Sequence, residues 1–320
     1  MRAFLDAHAR GAPVALQTSG TSGRARAVVR TTDSWVCSFA HVAALTGLDA
    51  RSRVWVPGPL TATMNLFGAV HAAFAGARTV STPEDATHAQ LTPAALRRCL
   101  DAGTPPAGVH VVVAGDHLDR PLADRERAAG LRVSHYYGAA ELSFVAWGPD
   151  SDNLRPFPEV ETSARDGALW VRSPYLCRGY AGAPGPYLRD ADGFATVGDR
   201  GSVVDGRVLV HGRGTDAVTT AGATVLVADV EEALRPATSG ELVVVGLPHP
   251  DLGAVLAVAL TDPLALDSAR TLAREALPAS HRPRLWFRVP AVPLTAAAKV
   301  DRTALAKLLV SSGEGVRRLT

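Results

Sequence analysis

The chain has 320 residues, 47% apolar and 20% charged, with a formal net charge of +2. That length allows one large domain or two unequal ones, and near-neutrality removes any electrostatic argument for a nucleic-acid partner. Three widely spaced cysteines, Cys37, Cys99 and Cys177, include no CxxC pair, which excludes the usual zinc and dithiol motifs and reads as buried structural thiols in a reducing, cytoplasmic setting.

The N-terminal stretch MRAFLDAHARGAPVAL carries charges throughout and shows no signal-peptide core. Residues 14–17 form a short apolar run that ends in a Gly/Ser/Thr loop. Thr32 or Asp33 then caps a predicted helix whose apolar face includes Val36, Phe39, Ala40 and Ala43. Residues 54–57 read as a strand. The most apolar stretch, residues 66–77 (LFGAVHAAFAGA), is interrupted by His71 and too short to span a bilayer, so it reads as a buried helix. Another strand is expected at 77–81 and a helix at 91–100, with Thr92 as cap and Pro93 in its first position. Residues 108–114 (GVHVVVA) and 131–137 are buried strands. This alternation predicts a sheet covered by helices.

From about Pro156 the pattern becomes β-rich, with Asp-Gly pairs at 166–167, 192–193 and 205–206. The last separates two apolar runs, 202–204 and 207–211, by two residues, a strong hairpin signal. Residues 212–216 (GRGTD) read as a joint. Beyond it the order is helix 227–234, strand 241–247, strand 254–260, helix 268–277, strand 284–289 and helix 302–309, the size of a small domain. The fold class is therefore α/β: a large α/β domain with mixed sheets and a β-rich part over residues 1–213, followed by a small mobile α+β domain over 214–320.

Thr18, Ser19, Gly20, Thr21, Ser22 and Gly23 follow the first strand. Glycines allow close backbone approach to an anion, successive N–H groups can form a nest, and the hydroxyls add donors. The loop is not of the GxxxxGK[ST] type, and taken alone it reads equally well as a surface turn.

The loop resembles the phosphate-binding signature of the adenylate-forming superfamily, and four further stretches match that family in order. Tyr137-Gly138-Ala139-Ala140-Glu141 is similar to its YGxTE stretch. Gly198-Asp199, in GFATVGDRG, is similar to its aspartate motif. Gly212-Arg213-Gly214-Thr215-Asp216, running on to Gly222, resembles its hinge motif. The stretch from Pro293 to Arg302 (PLTAAAKVDR) resembles its terminal PxTxxGKxxR motif. The likeness runs from about residue 14 to 310, and the chain resembles short acyl-CoA or o-succinylbenzoate-CoA ligases lacking the usual N-terminal region.

The resemblance implies ATP-dependent activation of a carboxylic acid to an acyl-adenylate, release of pyrophosphate, and transfer to the thiol of CoA. ATP, Mg2+ and CoA are the implied cofactors. By the same resemblance the loop from Thr18 to Gly23, with Arg26 in place of the family lysine, holds the β- and γ-phosphates. Glu141 binds Mg2+. Gly115, Asp116 and His117 flank adenine, and Tyr137, with Gly138 and Ala139, lies against its ring. Asp199 accepts from the ribose hydroxyls, and Arg213 contacts the ribose or phosphate region. Lys299 bridges the α-phosphate and the substrate carboxylate, and the loop around Gly222 faces the acceptor thiol once the small domain has rotated. Taken singly, Glu141 and Lys299 read as surface charges and Asp199 as a turn residue.

The chain departs from the family at Ala25, Ala140, Thr215, Thr219 and Ala298, and at Pro59-Leu60-Thr61-Ala62, where a histidine is usual. Trp55, Met64 and Phe67 are candidate acyl-lining residues, and the scarcity of charge there points to an apolar or aromatic acid. Two alternatives remain: an adenylating enzyme whose acceptor is an amine or a carrier-protein thiol supplied in trans, and a non-catalytic nucleotide- or acyl-binding protein. Assembly is left open between monomer and homodimer.

Overall fold

The computed structural model describes residues 1–17, 26–105, 107–118, 120–182, 184–213, 217–220, 223–238, 240–295 and 298–320, with the side chains of 213, 223 and 224 outside the description. The chain divides into two compact units: residues 1–210 with 296–299, and residues 211–295 with 300–320.

The chain opens with α1 (Arg2–Ala9), β1 (Pro13–Gln17), β2 (Ala27–Thr31), α2 (Asp33–Thr46), β3 (Arg53–Trp55), α3 (Thr63–Phe74), β4 (Arg78–Val80), β5 (His88–Leu91) and α4 (Pro93–Asp101). It continues through β6 (His110–Ala114), α5 (Arg120–Ala128), β7 (Arg132–Ala139), β8 (Ser143–Gly148) and β9 (Arg155–Pro156). The β-rich part holds β10 (Glu161–Arg165), β11 (Ala168–Arg172), β12 (Gly179–Ala181), β13 (Leu188–Arg189), β14 (Ala195–Thr196), β15 (Asp199–Val204) and β16 (Arg207–Arg213).

Seven strands form one sheet in the order β4-β3-β5-β6-β7-β8-β9. The pairs from β4 to β7 are parallel, and β8 and β9 are added antiparallel. β6 (HVVVA) is buried at every position, as a run of β-branched residues should be in a sheet covered on both faces. Leu91, Val111 and Val113 pack on one face with Leu96 of α4 and Leu122 of α5. On the other side Trp35 and Phe39 of α2, Phe67 of α3, and Phe144 of β8 share a core with Phe157 and Tyr175. Each such fully buried side chain contributes about 1.5–3 kcal/mol.

The predicted helix after the loop forms, but with two corrections. Its buried face is Trp35, Ser38, Phe39, Val42 and Thr46, and Ala40 is exposed. Thr32 makes no side-chain cap bond; the Thr31 hydroxyl accepts the Ser34 N–H at 3.2 Å instead. At α4, Thr92 caps as expected, accepting the Ala95 N–H at 3.2 Å ahead of Pro93. Asp205-Gly206 joins β15 to β16 with φ of 50° and 71°, and Asp166-Gly167 joins β10 to β11 with 51° and 73°. Two consecutive positive φ values are the type I′ turn that the Asp-Gly pair favours. Of the cysteines, Cys177 is buried, Cys99 is half-buried and Cys37 lies exposed, so the expectation of three buried thiols fails at Cys37.

The second unit contains β17 (Ala217–Thr220), β18 (Ala223–Leu226), α6 (Val227–Leu234), β19 (Leu242–His249), β20 (Gly253–Leu260), α7 (Leu266–Ala276), β21 (Leu285–Arg288), α8 (Arg302–Val310) and β22 (Arg317–Leu319). Its six-stranded sheet runs β18-β17-β20-β21-β22, with β19 also on β20. Strand alternation splits the core: Val244 and Val258 face α6 and α7, whereas Val243, Val245 and Ala257 face Leu305 and Leu309 of α8. Glu231 of α6 takes both guanidinium nitrogens of Arg302, at 2.7 and 3.0 Å, and the Val244 N–H at 2.7 Å. That bidentate pair ties α6, β19 and the start of α8 together. Among the described residues no helix is long and apolar enough to cross a membrane.

Candidate active site

The carboxyl ends of β5, β6 and β7 lie side by side, the position at which open parallel sheets bind ligands. Thr92 follows β5, the turn Gly115-Asp116-His117 follows β6, and Tyr137 to Ala139 end β7. Gly115 has φ of 94°, and Asp116 turns back to accept the His117 N–H at 2.8 Å. All three turn residues are exposed.

Lys299 is brought to this edge. A methyl group on Gly115 would stand 2.9 Å from Lys299 Cε, 3.6 Å from its Nζ and 3.7 Å from Thr92 Cγ2. The absence of a side chain at Gly115 is therefore what gives the lysine its room. The Thr92 hydroxyl donates to the carbonyl oxygen of Ala298 at 2.7 Å, across 206 residues of sequence.

Tyr137 donates its hydroxyl to Asp199 Oδ2 at 2.7 Å, which joins β7 to the first residue of β15. Asp199 is buried. Glu141, also buried, follows β7, and its Oε1 accepts the Tyr180 hydroxyl at 2.8 Å. Burial pushes the Tyr180 phenol up and the neighbouring Glu141 charge adds to this, so Tyr180 stays protonated as a donor. Tyr180 belongs to β12, which pairs with β2 opposite Val28. β2 in turn pairs with β1 so that Gln17 faces Ala27. Glu141 is thus one hydrogen bond from the small sheet that carries both ends of the Gly/Ser/Thr loop. The loop residues Thr18, Ser19, Gly20, Thr21, Ser22 and Gly23 lie outside the described residues, as do Gly222 and the Arg213 side chain. Arg26 is described and sits half-buried at the entry to β2.

Beneath this corner Arg30 of β2 is fully buried. Its Nη2 donates to the Tyr175 carbonyl at 2.6 Å and its guanidinium lies 5.5 Å from the Trp35 ring centroid, while Nε and Nη1 have no partner among the described residues. Burial pulls its pKa down to about 10, against the opposing pull of Cys177 and Glu141. The alternation of AVVRT, which puts Val28 and Arg30 on one face, is the sequence signal for its burial. Tyr180 carried no signal at all, since it lies outside every motif.

Among the candidate acyl-lining residues, Phe67 is core, stacked edge-on to Trp35, Phe39 and Phe144. Trp55 packs with the α4/α5 core. The face of β5 that ends at Thr92 holds Gln90 and His88 below it, and these two line a cavity of about 20 Å3 with Gly68 and His71 of α3 and Val112 of β6, room for one water-sized group. Gln90 Oε1 is buried there without a hydrogen-bond partner among the described residues. Among the described residues no group of three or more His, Cys, Asp or Glu is placed to hold a metal ion. A single carboxylate such as Glu141, with one oxygen held by Tyr180, fits a Mg2+ that arrives with phosphates and water as its other ligands.

The α/β sheet edge thus gathers a lysine and a glycine turn, with two tyrosine-held carboxylates at the end of β7 and the start of β15. The AMP-binding enzyme family matches residues 12–181. The chain belongs to that family. It is 26% identical over 337 residues to the uncharacterized acyl-CoA ligase YhfT of Bacillus subtilis, covering 92% of this chain and 68% of that protein. It is 31% identical over 209 residues to the probable 2-succinylbenzoate-CoA ligase of Mycobacterium tuberculosis, covering 62% of this chain and 53% of that one. The chain thus spans between half and about two thirds of these relatives. The fold matches o-succinylbenzoate CoA synthetase (MenE) of Bacillus subtilis, solved with the acyl-adenylate intermediate OSB-AMP, with a TM-score of 0.74, 21% identity and coverage of 91% of this chain and 68% of that one.

Proposed function

We propose that this chain activates a carboxylic acid with ATP and passes the acyl group to CoA. The observation that carries the reading is the placement of Lys299 over Gly115 at the sheet edge shared with Tyr137, Asp199 and Glu141. In the first half-reaction a carboxylate oxygen attacks the α-phosphorus of ATP. The bond from that phosphorus to the bridging oxygen breaks, and pyrophosphate leaves. Charge grows on the phosphoryl oxygens, and an ammonium fixed there before reaction stabilises it without reorganisation. In the second, the CoA thiolate attacks the acyl carbonyl and AMP departs with the C–O bonding pair.

Glu141 would hold Mg2+, which neutralises phosphate charge when bound. Asp199 would accept from the ribose hydroxyls while Tyr137 orients it. The loop from Thr18 to Gly23 with Arg26 would cradle the β- and γ-phosphates, and Gly115, Asp116 and His117 would flank the adenine. Arg213 and the stretch around Gly222 are proposed for the ribose and the acceptor thiol. Residues 1–213 would act as the large domain and 214–320 as the small domain. The scarcity of charge in the stretch after Pro59 favours an apolar or aromatic acid. Relatives named as CoA ligases support CoA as acceptor.

The test is acid-dependent ATP–pyrophosphate exchange across o-succinylbenzoate, salicylate, benzoate and hexanoate, with thioester formation followed on adding CoA. Lys299→Ala is expected to lose exchange by about 100- to 1,000-fold, the scale of removing a transition-state charge partner, while still forming thioester from preformed acyl-adenylate. No exchange by the unaltered protein with any acid would refute the reading.

A further inference from the structure

Ala298 adopts φ of 57°. The left-handed region is unfavourable for any residue with a Cβ and persists only where neighbouring contacts hold it. Besides the Leu294–Val300 bridge that closes the turn, the contact on Ala298 itself is Thr92. Its side chain is buried, and its hydroxyl is used twice: it accepts the Ala95 N–H at 3.2 Å as the cap of α4, and it donates to the Ala298 carbonyl at 2.7 Å. That carbonyl belongs to the peptide unit joining Ala298 to Lys299, so the bond fixes the plane from which the lysine side chain departs. Gly115, with φ of 94° and no side chain, leaves the lane along which Cε and Nζ lie. Residues 296–299 group with the first unit, whereas those on either side of them group with the second.

We propose that Thr92 is a positioning residue for the acid-activating step, a hydroxyl latch that holds the Ala298–Lys299 peptide in its strained conformation and so aims the lysine at the sheet edge. The proposal rests on the reading that Lys299 serves adenylate formation. It assigns Thr92 a role that capping alone would not give, because capping uses only the hydroxyl's lone pair and the latch uses its proton. It also gives a reason for alanine where the family pattern has glycine. A glycine would visit this φ unaided; an alanine makes the conformation depend on the Thr92 bond.

Three variants separate the latch from the cap. Thr92→Val removes both, Thr92→Ser keeps both, and Thr92→Val with Ala298→Gly removes both but relieves the strained φ. With the panel acid that gives the fastest exchange, Thr92→Val is expected to lower kcat for pyrophosphate exchange by roughly 10- to 100-fold, the scale of misplacing a reacting group by up to about 1 Å. KM for ATP should move less than about threefold, and thioester formation from the preformed adenylate should be unchanged. Thr92→Ser should retain exchange. The double variant should recover much of kcat while its Tm stays at the Thr92→Val value, since the cap is still missing.

A second readout needs no turnover: the rate at which an amine-reactive reagent labels Lys299, followed by mass spectrometry, should rise several-fold in Thr92→Val. Unchanged labelling, exchange within twofold of the parent, or equal loss of exchange and transfer would each overturn the latch. Faster labelling in a protein that exchanges with no acid would support the latch and count against the proposed reaction instead.

Discussion

Gly138 lies where β7 and β8 shift register, between Tyr137 and the chain leading to Glu141. A Cβ built on it would stand 2.1 Å from the Ser143 carbonyl oxygen and 3.1 Å from the Ser143 carbonyl carbon, where ordinary contact begins at 3.4 Å. Those atoms are backbone, and Ser143 already sits at φ of 60°, so the strand pair cannot yield by a rotamer change. Gly138→Ala must therefore push β7 from β8 by about 1 Å, at a cost of about 2–3 kcal/mol. That corresponds to a fall in Tm of about 4–10 °C for a unit of this size. Gly148→Ala is the matched control. It would place a Cβ 2.2 Å from the Asn153 carbonyl oxygen, an equal clash at the other end of β8. Both variants should lose similar Tm, but only Gly138→Ala displaces Tyr137 and Glu141. A 1 Å misplacement of a reacting group costs about 100-fold, so exchange at a temperature where both remain folded should fall about that far in Gly138→Ala and stay within about threefold in Gly148→Ala. Equal exchange in the two variants would refute the argument.

Tyr137→Phe removes the hydroxyl that donates to Asp199 at 2.7 Å; a hydrogen bond to a charged group is worth about 1.5–3 kcal/mol, so KM for ATP should rise by at least about tenfold with kcat little altered, and an unchanged KM would separate Asp199 from the nucleotide. Burial pulls His71, His110 and His135 down to about 4 from 6.5. The unfolded chain therefore takes up their protons below pH 6.5 and the folded chain does not until about pH 4, so their contribution to stability is present above 6.5 and is lost as pH falls through that window. The slope is about 1.4 kcal/mol per pH unit for each histidine. Urea unfolding at pH 7, 6 and 5 should show it, shallower in His135→Gln, and a flat profile would show that these rings are not buried neutral.

The strands easiest to read in the sequence are those whose own chemistry demands a strand. GVHVVVA could be little else, and Asp205-Gly206 announced its hairpin. β5 was missed because HAQL has neither β-branched residues nor alternation. It is a strand because β3 and β6 pair with it from both sides and His88 reaches the Thr46 carbonyl at 3.1 Å, which only the assembled sheet supplies. α5 was missed for the opposite reason: RPLADRERA is mostly charged, and one of the three residues it buries, beside Leu122 and Ala123, is the charged Glu126. The site divides in the same way. Motif order pointed to Lys299, Glu141 and Asp199, but Thr92 read as a cap and nothing more, because its second partner is 206 residues away.

The way the two site carboxylates are held bears on what they can do. Glu141 and Asp199 are both buried, a costly place for negative charge unless it is partnered. Each accepts from a tyrosine hydroxyl, Tyr180 and Tyr137 respectively. A phenol fixes the orientation of a carboxylate without cancelling its charge, whereas an arginine fork would take both oxygens and neutralise them. The nearby buried cation, Arg30, directs its hydrogen bond to the Tyr175 carbonyl and acts on Glu141 only through space. This arrangement supports the roles proposed for Glu141, toward a metal that comes with phosphate, and for Asp199, toward the ribose hydroxyls. Had the corner been built for stability alone, the guanidinium and the carboxylate would be expected to bond directly. That the guanidinium bonds a carbonyl and the carboxylate a tyrosine instead supports the proposal that Glu141 is kept for a partner that arrives from solution.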